Sequence, residues 1–243
     1  MTDSHGNGRV ALVTGVGRSI GIGAAIASAL TADGWQVVTS GWRSYDERMP
    51  WGADVAALAN IEADFTDPDG PARLVSEANR TAGMVTALVC CHAESVDSSI
   101  LDTTVQSFDR HMIVNARATW LLVKAFAEQF AGPFGTGRII ALTSDHTAFN
   151  LPYGASKGAL DRIVLAAAVE LASRGITANV VNPGATDTGW MDDDLREAIA
   201  DGNLQKRVGM PADCANLVRF LCSPEGQWIN GQLLHSDGGV GPR

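Results

Sequence analysis

Tyr153 and Lys157 stand four residues apart in Tyr153-Gly154-Ala155-Ser156-Lys157, with Pro152 just before them. Proline is tolerated in the first turn of a helix, and a spacing of four puts both side chains on one helix face, a turn apart. A phenol of ordinary pKa, about 10, is a poor base at neutral pH. An ammonium ~4 Å away, in an effective dielectric of about 20, favours the phenolate by about 4 kcal/mol. That is enough to lower the phenol's pKa by up to about 3 before screening. Such a pair can move a proton to or from an alcohol oxygen while hydride moves at carbon.

A second group of residues suits a phosphate. The run 10–14 leads directly into Thr14-Gly15-Val16-Gly17-Arg18-Ser19-Ile20-Gly21-Ile22-Gly23 and then into an alanine-rich stretch. Glycines there allow a sharp turn, close approach of a pyrophosphate to the backbone, and tight packing of the next helix. The helix N-terminus adds free N–H groups and a partial positive charge. After the next strand comes Thr39-Ser40-Gly41-Trp42-Arg43. An NAD site usually places an acid there for the ribose 2′-hydroxyl, and Gly41 takes its place. Arg18 and Arg43 suit a 2′-phosphate, which favours NADP(H) with NAD(H) as the alternative; the competing reading leaves both arginines merely solvated. Asp46 and Glu47 lie nearby.

These residues need elements to position them. Apolar runs at 10–14, 36–40, 60–63, 87–91, 138–143, 177–181 and 232–235 read as strands, several continuous enough for burial on both faces. Helical patterns at 23–33, 71–82, 105–130, 153–174 and 212–221 alternate with them. The expectation is an α/β chain with a doubly wound parallel sheet of about seven strands, a Rossmann fold filling residues 1–243 as one domain.

The 243 residues are 46% hydrophobic and 19% charged, enough for one large core, and carry a net charge of −9. An acidic chain without a basic patch repels phosphate backbones, so no nucleic-acid partner is expected. Residues 1–8 are polar and no apolar run is long enough to span a bilayer, so no membrane partner and a cytoplasmic location are expected. Cys90, Cys91, Cys214 and Cys222 show neither a CxxC pair nor a metal-finger spacing and read as core thiols, with no metal site. The run Asp192-Asp193-Asp194 reads as a solvated loop or a helix start.

The order of these motifs resembles the short-chain dehydrogenase/reductase family over nearly the whole chain, most of all its 3-oxoacyl-carrier-protein reductases. The resemblance rests on the glycine turn, Asn115 in a long middle helix, Ser144 ending a strand, YxxxK, Asn182-Pro183-Gly184, and the stretch from Asn230-Gly231 to Asp237-Gly238-Gly239. It implies that Ser144 hydrogen-bonds the substrate oxygen, with Thr143 as a substitute, and that Tyr153 is the general acid/base. Lys157 would bind the nicotinamide ribose, and Asn115 would support a water-mediated proton relay through Lys157. Gly15, Arg18, Ser19, Ile20, Gly21 and Ile22 would cradle the phosphates, with Asp64 and Phe65 at the adenine. Pro183, Gly184, Thr186 and Thr188 would brace the nicotinamide. The substrate would be a small-molecule or acyl-thioester carbonyl, and the assembly a homotetramer or homodimer.

Three features depart from the family's pattern. Five residues, Val16 to Ile20, separate Gly15 from Gly21 where three are usual, as in the enoyl reductase branch; the short Tyr153–Lys157 interval argues against that branch's chemistry. Cys90-Cys91-His92-Ala93 replaces Asn-Asn-Ala-Gly, so Cys91 and His92 flank the cofactor, His92 either touching its ribose or packing behind it. Ser144 precedes Tyr153 by nine residues rather than about thirteen, which brings His146 and Phe149 to a tight loop facing the substrate. Trp190 and Met191, in a lid over 186–203, are candidates for an apolar pocket. The reading from a different class is a dinucleotide-binding regulator or scaffold with reduced catalysis, encouraged only by Cys90-Cys91-His92.

Overall fold

The computed structural model describes residues 8–52, 54 and 61–240. Its strands are β1 Val10–Thr14, β2 Gln36–Gly41, β3 Ile61–Glu62, β4 Val85–Cys90, β5 Gly137–Leu142, β6 Ile176–Asn182 and β7 Leu233–His235. All pair in parallel in the order β3-β2-β1-β4-β5-β6-β7. The order reverses between β1 and β4, and a crevice opens there beyond the strands' C-terminal ends.

The central strands β1, β4 and β5 are buried on both faces, which is why they read as unbroken apolar runs. In β1, Val10 and Leu12 join one core cluster while Ala11 and Val13 join the other. Helices α3 Gly70–Ala82, α5 Ala118–Gln129 and α6 Leu151–Glu170 cover the first face. Helices α1 Ile22–Ala32 and α8 Pro211–Cys222 cover the second. Right-handed crossovers of this kind bring every β-to-α loop to one rim.

The long helix expected over 105–130 is continuous but not uniform. α4 Val105–His111 passes through a π-helical turn, Met112–Arg117, into α5. The expected strand at 60–63 shrinks to β3, and Asn60 lies outside the described residues, as do residues 1–7 of the polar N-terminus. Two helices went unread in the sequence: α2 Arg43–Arg48 and α7 Asp193–Gly202. The acidic run starts α7, where the Asp192 carboxylate caps the helix by accepting the Leu195 N–H at 2.8 Å.

Candidate active site

A groove of about 290 Å³ occupies the crevice and is lined at one end by Gly15, Arg18 and Gly21, at the other by Tyr153, Lys157, Pro183 and Thr188. Pro152 in the first turn of α6 starts the helix that presents Tyr153 and Lys157 together. Lys157 is 2% exposed, and its Nζ lies 5.5 Å from the centre of the Tyr153 ring. The same ammonium donates to the Leu142 carbonyl at the end of β5, at 2.8 Å.

The acidified phenol expected from the spacing is corrected by this environment. Burial, with Asp97 adding to it, pushes the Tyr153 phenol up to about 12. Burial also pushes Lys157 down to about 8, against the opposing pull of Cys91, Asp161 and Cys90. Desolvation is the largest cause of both shifts. The chain alone therefore holds a protonated phenol at neutral pH, an acid rather than a base.

Asn115 sits in the π-helical turn, fully buried. Its Nδ2 donates to the Glu94 carbonyl at 2.9 Å and to Ser156 Oγ at 2.8 Å, and its Oδ1 accepts the Glu94 N–H at 2.7 Å. Ser156 Oγ in turn donates to the Tyr153 carbonyl at 2.7 Å. The Asn115 amide thus ties the loop after β4 to the first turn of α6, and both of its N–H donors are engaged in that clamp.

Ser144 lies two residues beyond β5, half-buried, and its Oγ accepts the His146 N–H at 3.2 Å, which leaves its own proton free to donate. Thr143, buried, lines the groove. His146 and Phe149 are exposed on the following loop, where Phe149 adopts a positive φ of 60°. Non-glycine residues rarely hold that conformation unless neighbours enforce it. Here Asn150 Nδ2 donates to Asp97 at 2.5 Å and the Leu151 N–H to the Ser98 carbonyl at 3.1 Å.

The glycine turn is built for close approach. Gly15 has φ +74°, and a Cβ on it would stand 2.4 Å from the His92 backbone nitrogen. The Thr14 hydroxyl accepts the Cys91 N–H at 3.2 Å and lies 2.7 Å from His92 Nδ1, pinning β1 to the end of β4. Gly21 caps α1 without a side-chain partner, so the helix's first N–H groups face the groove mouth. A dinucleotide phosphate fits this bare backbone cradle. The extra residues of the turn reach sideways: Arg18 stacks on Trp51 at 4.8 Å, Ser19 donates its N–H and hydroxyl to Asp54, both at 2.7 Å, and Ile20 fills the space beside Gly189.

The remaining residues divide between the groove and its surroundings. Ile22, Phe65, Cys91 and His92 line it. The His92 ring packs 4.4 Å from Phe65, and burial followed by Lys157 pushes its pKa down to about 3, so it is neutral. Its Nε2 is buried with no hydrogen-bond partner among the described residues. Burial raises Cys90 to about 12 and Cys91 well above its ordinary value, so both remain thiols. Arg43 is exposed and paired with Glu47 at 3.0 Å, and Asp64 closes a local turn by accepting from the Thr66 N–H and hydroxyl at 2.8 Å. Gly184 has φ +61° against Asp237, and Thr186, bonded to the Pro183 carbonyl at 3.1 Å, holds the bend. Met191 is buried, while half-exposed Trp190 donates to the Thr186 carbonyl at 3.2 Å.

Sequence reasoning gave no role to Trp42, Tyr45, Asp46 or Glu94, all of which line the groove. The first three belong to the end of β2 and to α2, a helix of six residues too short to show periodicity. A charged residue such as Glu94 carries no burial signal of its own.

Residues 15–241 match the family model described as enoyl-(acyl carrier protein) reductase. The chain belongs to the short-chain dehydrogenase/reductase family. It is 36% identical to versicolorin reductase 1 of Aspergillus parasiticus, covering 99% of both chains. An uncharacterised oxidoreductase of Bacillus subtilis is 32% identical, with 97% of this chain and 98% of that one covered. Among solved structures, a blue fluorescent protein from a metagenomic library, in complex with NADPH, superposes with a TM-score of 0.85 at 31% identity, covering 97% and 99% of the two chains. Membership makes the chain an NAD(P)-dependent oxidoreductase with a Rossmann-type sheet. Among the described residues no helix is long and apolar enough to cross a membrane.

Proposed function

We propose that this short-chain dehydrogenase/reductase interconverts a carbonyl and a secondary alcohol, as the family's 3-oxoacyl reductases do, with NADP(H) preferred and Tyr153 as general acid/base. The observation that carries the reading is that Tyr153 and Lys157 open onto the same groove as the Gly15–Gly21 phosphate cradle. A bound nicotinamide supplies or accepts hydride at the carbonyl carbon. Tyr153, protonated at neutral pH, gives the proton to the substrate oxygen. Ser144 donates a hydrogen bond to that oxygen, Lys157 contributes positive charge beside the phenol, and Asn115 fixes the start of α6.

Support for NADP(H) comes from Arg18, which lines the groove, and from the NADPH held by the structural neighbour. Arg43, exposed and paired with Glu47, is the second candidate for the 2′-phosphate. Exposed Phe149 and Trp190, on loops adjoining the catalytic residues, favour an apolar small-molecule carbonyl over a charged one. We infer a homotetramer or homodimer from the apolar surface that Trp120 of α5 and Val169 of α6 expose, and keep the cytoplasmic location as the sequence expectation.

The test is NADPH oxidation against a panel of apolar ketones and 3-oxoacyl thioesters, with Tyr153→Phe alongside. Turnover that falls by about 10²–10⁴ in the variant, with NADPH still bound, supports the reading. Cofactor binding without turnover on any carbonyl overturns it and leaves a dinucleotide-binding regulator or scaffold.

A further inference from the structure

Glu94, the residue immediately after the Cys90-Cys91-His92-Ala93 departure, has a side chain only 2% exposed. A buried carboxylate is costly unless paired, and this one is paired twice. Arg48 of α2 donates its Nη2 to Glu94 Oε2, and Arg110 of α4 donates its Nε to the same oxygen at 3.2 Å. Each guanidinium also lies over an aromatic ring: Arg48 over Tyr45 at 4.7 Å, Arg110 over Trp42 at 5.7 Å. Both rings line the groove. The backbone of Glu94 is gripped from the other side by the Asn115 amide, through both its N–H and its carbonyl.

We propose that Glu94 is a positioning residue for cofactor binding, its carboxylate holding two arginines so that Trp42 and Tyr45 form a fixed wall of the dinucleotide groove. The physical reason is charge. Without the carboxylate, two guanidinium groups face one another across a buried site, and they separate toward water, taking their stacked rings with them. Because Trp42 and Tyr45 belong to the β2 end and α2, while Tyr153 and Lys157 belong to α6, the wall acts on cofactor affinity and not on proton transfer. This inference rests on the reading that the groove holds the dinucleotide.

The experiment compares wild type, Glu94→Gln and Arg110→Gln for NADPH dissociation constant by fluorescence titration, alongside kcat, KM for NADPH and thermal midpoint. Glu94→Gln keeps the shape and loses the charge. Its NADPH Kd and KM rise about tenfold while kcat at saturating cofactor stays within twofold of wild type. Arg110→Gln, which leaves the Arg48 pair in place, raises Kd about threefold and serves as the second variant should Glu94→Gln fold poorly. A Glu94→Gln, Trp42→Leu pair that is non-additive in Kd supports action through the ring. Wild-type binding with unchanged Kd in the folded variants, or loss of kcat alone, overturns the inference. Failure of wild type to bind NADPH or NADH overturns the groove reading itself, and this inference with it.

Discussion

The ammonium of Lys157 approaches the Tyr153 ring to 5.5 Å while donating to the Leu142 carbonyl at 2.8 Å. The lysine is therefore anchored to the sheet by β5, and its charge is delivered to the phenol from a fixed point. Its surroundings also make that charge titratable near the working range, at about 8, because burial penalises the ammonium.

A pH dependence follows with a definite sign. Below about 8 Lys157 is charged and Tyr153, at about 12, is protonated, which is the pair needed to reduce a carbonyl. Reduction kcat/KM is level below pH 8 and falls up to tenfold per pH unit above it, as the ammonium is lost. Alcohol oxidation, which needs the phenolate, rises with pH over the same range. The linked stability effect has the opposite direction to reduction. A lysine whose folded pKa lies below its ordinary 10.5 binds fewer protons folded than unfolded, so raising the pH from about 8 towards 10.5 stabilises the fold. Initial rates in both directions from pH 6 to 10, with melting temperatures, check this; reduction that is flat through pH 10 contradicts it.

The Asn115 clamp leads to a second prediction. Asn115→Ala removes three hydrogen bonds and leaves the Glu94 N–H, the Glu94 carbonyl and Ser156 Oγ to find new partners in a buried place. Each unsatisfied buried group costs about 1–3 kcal/mol. Denaturant unfolding should show a loss of at least about 2 kcal/mol, and kcat should fall because the first turn of α6 loses its tether. Retained stability with lost activity would instead favour the proton relay that the family resemblance implied.

Much of this architecture was legible in the sequence because parallel strands and covering helices leave strong periodic signals. The runs at 10–14 and 138–143 correspond closely to β1 and β5, and the Gly15–Gly21 turn and the Tyr153–Lys157 pair line one groove. What escaped notice depends on long-range partners. Glu94 and Arg48, 46 residues apart, look like surface charges until α2 is folded against the end of β4. The direction of the Tyr153 shift escaped for a similar reason: spacing reports the neighbouring ammonium, whereas burial, the larger effect, belongs to the whole fold. The Arg43–Glu47 pair, one helical turn apart, lies in a helix too short to be read.

The choice between Ser144 and Thr143 as the donor to the substrate oxygen can be settled by mutation. Ser144 Oγ accepts the His146 N–H, so its hydroxyl proton is uncommitted and available to an incoming oxygen. Thr143 is buried just beyond β5, and its Oγ1 has no hydrogen-bond partner among the described residues. That enclosed hydroxyl is harder for an incoming oxygen to reach than the half-buried Ser144 Oγ. Ser144→Ala should therefore reduce kcat by about 10²-fold, the scale seen when one donor to a developing oxyanion is removed. Thr143→Val keeps the shape and should change kcat no more than about threefold. Steady-state kinetics on both variants decide the matter: a larger kcat loss in Thr143→Val assigns the substrate hydrogen bond to the threonine.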